Sequence, residues 1–131
     1  MKVKPTERQV QRAILRMAGI CFPSVFIHHS PNGAHLAGSD TARFAQVGAL
    51  KGDGMKVGFP DLICIWNRGV AFMETKRPGC AKNLSPAQVQ IHAELREMGF
   101  TPAIVTSTEE AFAFLKDRGA PTHIRDWREA A

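Results

Sequence analysis

Two strand-like runs, Asp61 to Trp66 and Val70 to Lys76, flank the turn-forming triplet Asn67-Arg68-Gly69. Apolar, strand-favouring residues on both sides of so short a break predict a tight antiparallel hairpin. The hairpin is restrictive, because folding at the triplet returns the end of the second run to the start of the first. Asp61 must then come to rest beside Glu74 and Lys76. A register that sets Asp61 opposite either residue puts all three on one face, since cross-strand partners point the same way, whereas a slip of one residue separates the faces. Glu74 and Lys76 are two apart, so they share a face with Cα atoms about 6.6 Å apart. Three charges converge at the end of an otherwise apolar sheet.

The elements around the hairpin follow from local spacing. Thr6 and Gln9 have capping-box spacing ahead of an apolar stripe of Val10, Ala13, Ile14 and Met17, with Gly19 as the expected stop. Glu7 extends that stripe and turns a carboxylate toward the core side of the first turn; an acid favoured near a helix N-terminus accounts for it equally. Val25-Phe26-Ile27 reads as a short strand. The stretch from Ser30 to Pro60 holds six glycines and is too long for a plain connection, so a helix is expected within it over Asp40 to Leu50, with Phe44 and Val47 inward. Ser85 caps a helix that starts at Pro86, has Gln88 at its third position, buries Ile91, Leu95 and Met98, and stops at Gly99. Pro102 to Thr106 is a further strand. Ser107 and Glu110 repeat the capping-box spacing before Ala111, Phe112, Phe114 and Leu115, ending near Gly119. The expected fold is α/β, a mixed sheet of about four strands flanked by helices in the order α-β-β-β-α-β-α. It forms one domain over residues 1–131, with a core at about 5–118 and a polar tail over 119–131.

At 131 residues, 44% hydrophobic and 22% charged, the chain is neither a disordered tail nor a low-complexity segment. Its apolar runs fall far short of the roughly 20 residues that cross a bilayer, and no apolar leader follows Met1-Lys2-Val3-Lys4-Pro5, so a cytoplasmic protein is expected. Cys21, Cys64 and Cys80 form no CxxC pair and read as reduced, mostly buried thiols. The net charge of +5 suits a polyanionic partner.

A buried cluster of Asp61, Glu74 and Lys76 is costly unless its members are paired or hold a metal. Two adjacent carboxylates suit a hard divalent cation such as Mg²⁺, with the lysine placed to serve a water and a charged phosphoryl transition state. A salt bridge on a strand surface is the plain alternative. Pro60-Asp61 followed by Glu74-Thr75-Lys76 resembles the PD-(D/E)xK nuclease signature. More narrowly, Gly58-Phe59-Pro60-Asp61-Leu62-Ile63, Glu74-Thr75-Lys76-Arg77-Pro78-Gly79 and Leu84-Ser85-Pro86-Ala87-Gln88 resemble the virus-type replication-repair nuclease domain. Glu7 and Ser30-Pro31-Asn32-Gly33 match the same pattern, and the resemblance runs from about residue 5 to residue 115.

The resemblance implies a restriction-endonuclease-like core that cleaves DNA with Mg²⁺ or Mn²⁺. Asp61 and Glu74 would ligate metal, with the Thr75 backbone carbonyl completing the set. Lys76 would serve the attacking water, Glu7 would be an outer acid or hold a second ion, and Gln88 would support the site. A capping box explains Gln88 without catalysis. Asn32, Lys51, Lys56, Arg77 and Lys82, with Arg68 also taken to flank the site, are candidates for a phosphate track, solvated loop cations being the ordinary alternative. His28, His29 and His35 are open to three readings: metal ligands or a general base, phosphate contacts, or plain surface residues. His92 reads as a flank of its helix. Stand-alone members of the family resemble phage-encoded proteins that act on branched DNA, so a phage or bacterial endonuclease is expected; the alternative is a non-catalytic DNA-binding module that keeps the fold. One site cuts one strand, which favours a two-fold homodimer. Phe44, Val47 and Leu50 could form its contact, or pack on their own sheet.

Overall fold

The computed structural model describes residues 3–31 and 38–130. Helix α1 (Glu7–Cys21) is followed by strand β1 (Phe26–His29), helix α2 (Asp40–Gly52), strands β2 (Leu62–Trp66) and β3 (Gly69–Thr75), helix α3 (Pro86–Glu97), strand β4 (Ala103–Val105) and helix α4 (Thr108–Asp117), with a 3-10 turn at Trp127–Ala130. The sheet order is β1-β2-β3-β4. The first two pairings are antiparallel, and β3 and β4 run parallel across the connection through α3. The fold is thus the expected α/β arrangement of a mixed four-stranded sheet flanked by helices, with α2 added between the first two strands.

The hairpin closes more tightly than expected. Trp66 pairs with Gly69, leaving a two-residue turn of Asn67 and Arg68, and Arg68 takes a left-handed φ of 67°. Gly69 lies under the Trp66 indole, where a Cβ would fall 2.1 Å from Nε1, so the ring selects the glycine. Leu62 pairs with Met73, and Asp61, one step further out, stands opposite Glu74.

That register sorts the sheet into two faces. Leu62, Cys64, Ala71, Met73 and Val105 join Val10, Ile14, Met17 and Cys21 of α1 and Ala111, Phe112 and Leu115 of α4 in one core. Phe72 and Glu74 alternate with those positions and occupy the opposite face, where Phe72 meets Phe59 and Phe100 edge-on, each at 5.6 Å between ring centres. Cys21 and Cys64 are buried and Cys80 is half-buried, all as free thiols.

Tertiary packing corrects several local expectations. α1 runs through Gly19 to Cys21, because burying Ala18 and Cys21 on the Val10, Ile14 and Met17 stripe outweighs the roughly 1 kcal/mol that a helical glycine costs. β1 is shifted to Phe26–His29 by pairing along β2, which puts His28 and His29 in the strand. α2 forms with a Ser39 cap, yet none of its residues is buried, and Phe44 is 80% exposed instead of inward. Met98 is 70% exposed, since α3 turns inward with His92 and Leu95, and Gly99 then swings Phe100 onto the sheet. Ser107 caps α4, but the Glu110 carboxylate bonds the Thr106 N–H and hydroxyl, so only half of the expected capping box forms. The segment expected as a polar tail docks: Thr122 Oγ1 donates to the Cys21 carbonyl, and Ile124, Trp127 and Ala130 pack on the core.

Gly58 fixes the approach of α3 to the sheet. Its φ is +88°, and a Cβ there would lie 2.4 Å from the Ala87 backbone carbon in the first turn of α3. Gly58→Ala is expected to cost about 3 kcal/mol, through overpacking and a strained φ, as a lower midpoint in urea unfolding. An unchanged midpoint would show that the α3 contact yields freely.

Candidate functional site

Three carboxylates meet at the open end of the hairpin. Glu7 is the first residue of α1, Asp61 immediately precedes β2 and Glu74 is the penultimate residue of β3. Each offers one oxygen, and these oxygens all lie within 4.8 Å of one another.

Asp61 is clamped from both sides. Its Oδ2 accepts from the Thr75 N–H at 2.9 Å and from the Thr75 hydroxyl at 2.8 Å. Its carbonyl accepts from the Ser30 N–H at 2.7 Å and lies 3.3 Å from His29 Nδ1. Glu74 is wholly buried, and neither of its side-chain oxygens has a hydrogen-bond partner. Burial first, then the neighbouring Asp61, push its carboxyl up to about 10, against the opposing pull of Lys76. Burial and Asp61 also raise Glu7. The site therefore asks for positive charge that the protein alone does not supply.

Lys76 is braced. Its Nζ donates at 3.2 Å to Gln88 Oε1, and that same oxygen accepts the Ser85 N–H at 2.9 Å, while Ser85 Oγ accepts the Gln88 N–H at 3.1 Å. The two readings of Gln88, helix cap and site support, hold together through one atom. Arg77 Nε donates at 3.3 Å to the Pro5 carbonyl, tying the segment after β3 to the chain that enters α1 and hence to Glu7.

The other candidates are dispersed. Lys51 lies in the last turn of α2, Lys56 in the turn before Phe59 and Lys82 in the turn after Arg77, all exposed. Arg68 does not flank the site: it sits in the hairpin turn, at the far end of β2 from Asp61. His28 and His29 are exposed on β1, and neither joins the acidic group. Asn32 and His35 lie outside the described residues.

His92, taken from the sequence as a helix flank, is instead fully buried, with Nε2 3.4 Å from Glu74 Oε1. Burial first, then Arg96 and Lys76, hold its imidazole below the usual range. Its spacing carried a signal, since it follows Gln88 by four residues and so shares the helix face that braces Lys76.

An all-oxygen donor set of Glu7, Asp61 and Glu74, with unpartnered buried atoms on Glu74, could hold a metal ion. Compared with known proteins, the chain matches no family model and no curated sequence.

The raised Glu74 pKa makes a signed prediction. The metal-free fold holds a proton that the unfolded chain releases near 4.5, so stability is lost as pH climbs from about 5 toward about 10. Thermal unfolding in EDTA should show the midpoint falling across that range, and saturating Mg²⁺ should flatten the fall. Glu74→Gln should remove the slope and raise the EDTA midpoint at alkaline pH by about 5 °C. A wild-type midpoint independent of pH and of Mg²⁺ would remove the basis for a cation site.

Proposed function

We propose that the chain is a divalent-metal-dependent DNA nuclease of the virus-type replication-repair kind, hydrolysing phosphodiester bonds as an endonuclease on branched DNA. The observation that carries this reading is the convergence of Glu7, Asp61 and Glu74 within 4.8 Å beside a lysine that is itself held in place. A surface salt bridge would not leave a buried carboxylate unpartnered.

In this reading Asp61 and Glu74, with the Thr75 backbone carbonyl, would hold Mg²⁺ or Mn²⁺, and Glu7 would be an outer acid or hold a second ion. The cation, when bound, supplies Lewis-acid polarisation of the phosphoryl group and lowers the pKa of a water. The clamp on Asp61 fixes its carboxylate before the cation arrives. Lys76 would serve the attacking water and stabilise the additional negative charge of the transition state, with Gln88 bracing its ammonium. Lys51, Lys56, Arg77 and Lys82, with Asn32, are the proposed phosphate contacts. Three free thiols fit a cytoplasmic, phage or bacterial setting. No helix among the described residues is long and apolar enough to cross a membrane.

A homodimer completes the proposal. The alternative home for Phe44, against its own sheet, is removed by its exposure, and a 13-residue helix with no buried residue is marginal in water unless something covers it. Phe44, Val47 and Leu50 supply an isologous contact through α2. Light scattering should give a two-chain mass, and Phe44→Glu should return a single-chain mass with an unchanged circular dichroism spectrum. A one-chain wild-type mass, free and on branched DNA, overturns the dimer.

Asp61→Asn and Glu74→Gln should each abolish cleavage across a panel of branched, flapped and linear DNA with Mg²⁺ or Mn²⁺. Lys76→Met should slow turnover by roughly 10²–10³-fold while Mn²⁺ still binds. Metal and DNA binding without cleavage by the wild type would favour the non-catalytic DNA-binding module instead.

A further inference from the structure

His92 has no part in the reaction described above. It is fully buried at the middle of α3, and neither of its ring nitrogens has a hydrogen-bond partner. The group it faces is in the same condition: Glu74 Oε1 lies 3.4 Å from His92 Nε2, close enough to interact but outside hydrogen-bonding alignment. Two unpartnered polar groups, buried side by side, are costly, and an apolar side chain in place of the imidazole would relieve half of that cost. The imidazole is explained if the pair aligns in a second state.

The spacing of α3 against β3 supports this. Gln88 and His92 are one helical turn apart, about 6 Å along the axis. Lys76 and Glu74 are two strand residues apart, about 6.6 Å. The helix runs back along the strand, so Gln88 meets Lys76 and His92 meets Glu74. One face of α3 thus addresses Glu74 of β3 and Lys76 just past its end in step. Neither ring nitrogen of His92 joins the converging ligand atoms of Glu7, Asp61 and Glu74, so what it addresses is Glu74 alone.

We propose that His92 is a positioning residue for the cation site: its Nε2–H engages Glu74 Oε1 and thereby turns the other carboxylate oxygen toward a divalent cation shared with Asp61. The inference rests on the reading of the site as a metal centre. Outer partners of this kind typically govern roughly ten- to a hundredfold of metal affinity.

The test is Mn²⁺ binding to DNA-free protein, followed by electron paramagnetic resonance of the free ion, for wild type, His92→Leu and His92→Gln. His92→Leu should weaken binding by roughly ten- to a hundredfold, while its unfolding midpoint in EDTA stays equal to or above that of wild type. His92→Gln, which keeps an N–H donor within reach of Glu74, should recover most of the affinity. A wild-type affinity in His92→Leu overturns the proposal, as does a His92→Gln as weak as His92→Leu. If wild type itself binds no Mn²⁺, the metal-centre reading falls, and this inference with it. Nitrogen-detected NMR of Mg²⁺-saturated wild type needs no variant: the Nε2–H tautomer of His92 is expected, and an Nδ1–H tautomer overturns the assignment.

Discussion

The pairing of β2 with β3 governs everything else in the molecule, because side chains on a strand alternate with a period of two. With Leu62 opposite Met73, the residues between the sheet and α1 are all apolar or small, and Glu74 falls on the other side with Phe72. Slipping by one residue would drive Glu74 into the core beneath α1 and α4 and expose Met73. Trp66 works against that slip, since its indole lies where a Cβ on residue 69 would fall and so favours a glycine at the start of the second strand.

The same register leaves a carboxylate buried and unpartnered, which is an unusual expense in a small domain whose whole stability is on the order of 10 kcal/mol. The surroundings are arranged to tolerate it. Asp61 is tied to Thr75 so that it cannot turn away, Arg77 anchors the entry to α1, and Gly58 lets α3 close over the sheet. Rigid parts surround a charge imbalance, which is the arrangement expected where binding, not folding, is to make good the deficit.

How much of this was legible in the sequence depends on how far each contact reaches. The hairpin, the caps at Thr6 and Ser85 and the meeting of Asp61 with Glu74 follow from neighbours a few residues apart or from the geometry of one turn. The exposure of α2, the docking of Ile124 and Trp127 and the burial of His92 do not, because each depends on which faces other elements have already filled. Phe44 and Val47 have the spacing of an inward stripe, yet Phe44 is exposed and Val47 only half-buried. Gly19 looks like a stop until the pocket for Cys21 is known. Of the proposed site residues, the acids could be placed from the hairpin and the first helix, whereas the loop cations have no geometry that local spacing could supply.

The doubly engaged oxygen of Gln88 narrows the choice of amino acid at that position. As a helix cap alone, glutamate would serve as well as glutamine, since either reaches back to the Ser85 N–H. As a brace for Lys76, glutamate would bind more strongly. It would also add a fourth carboxyl group beside Glu7, Asp61 and Glu74, and would neutralise the ammonium that opposes the raised Glu74 carboxyl. An amide accepts from both donors and leaves the lysine's charge available. The neutrality of residue 88, and not merely its reach, is what the two contacts jointly demand.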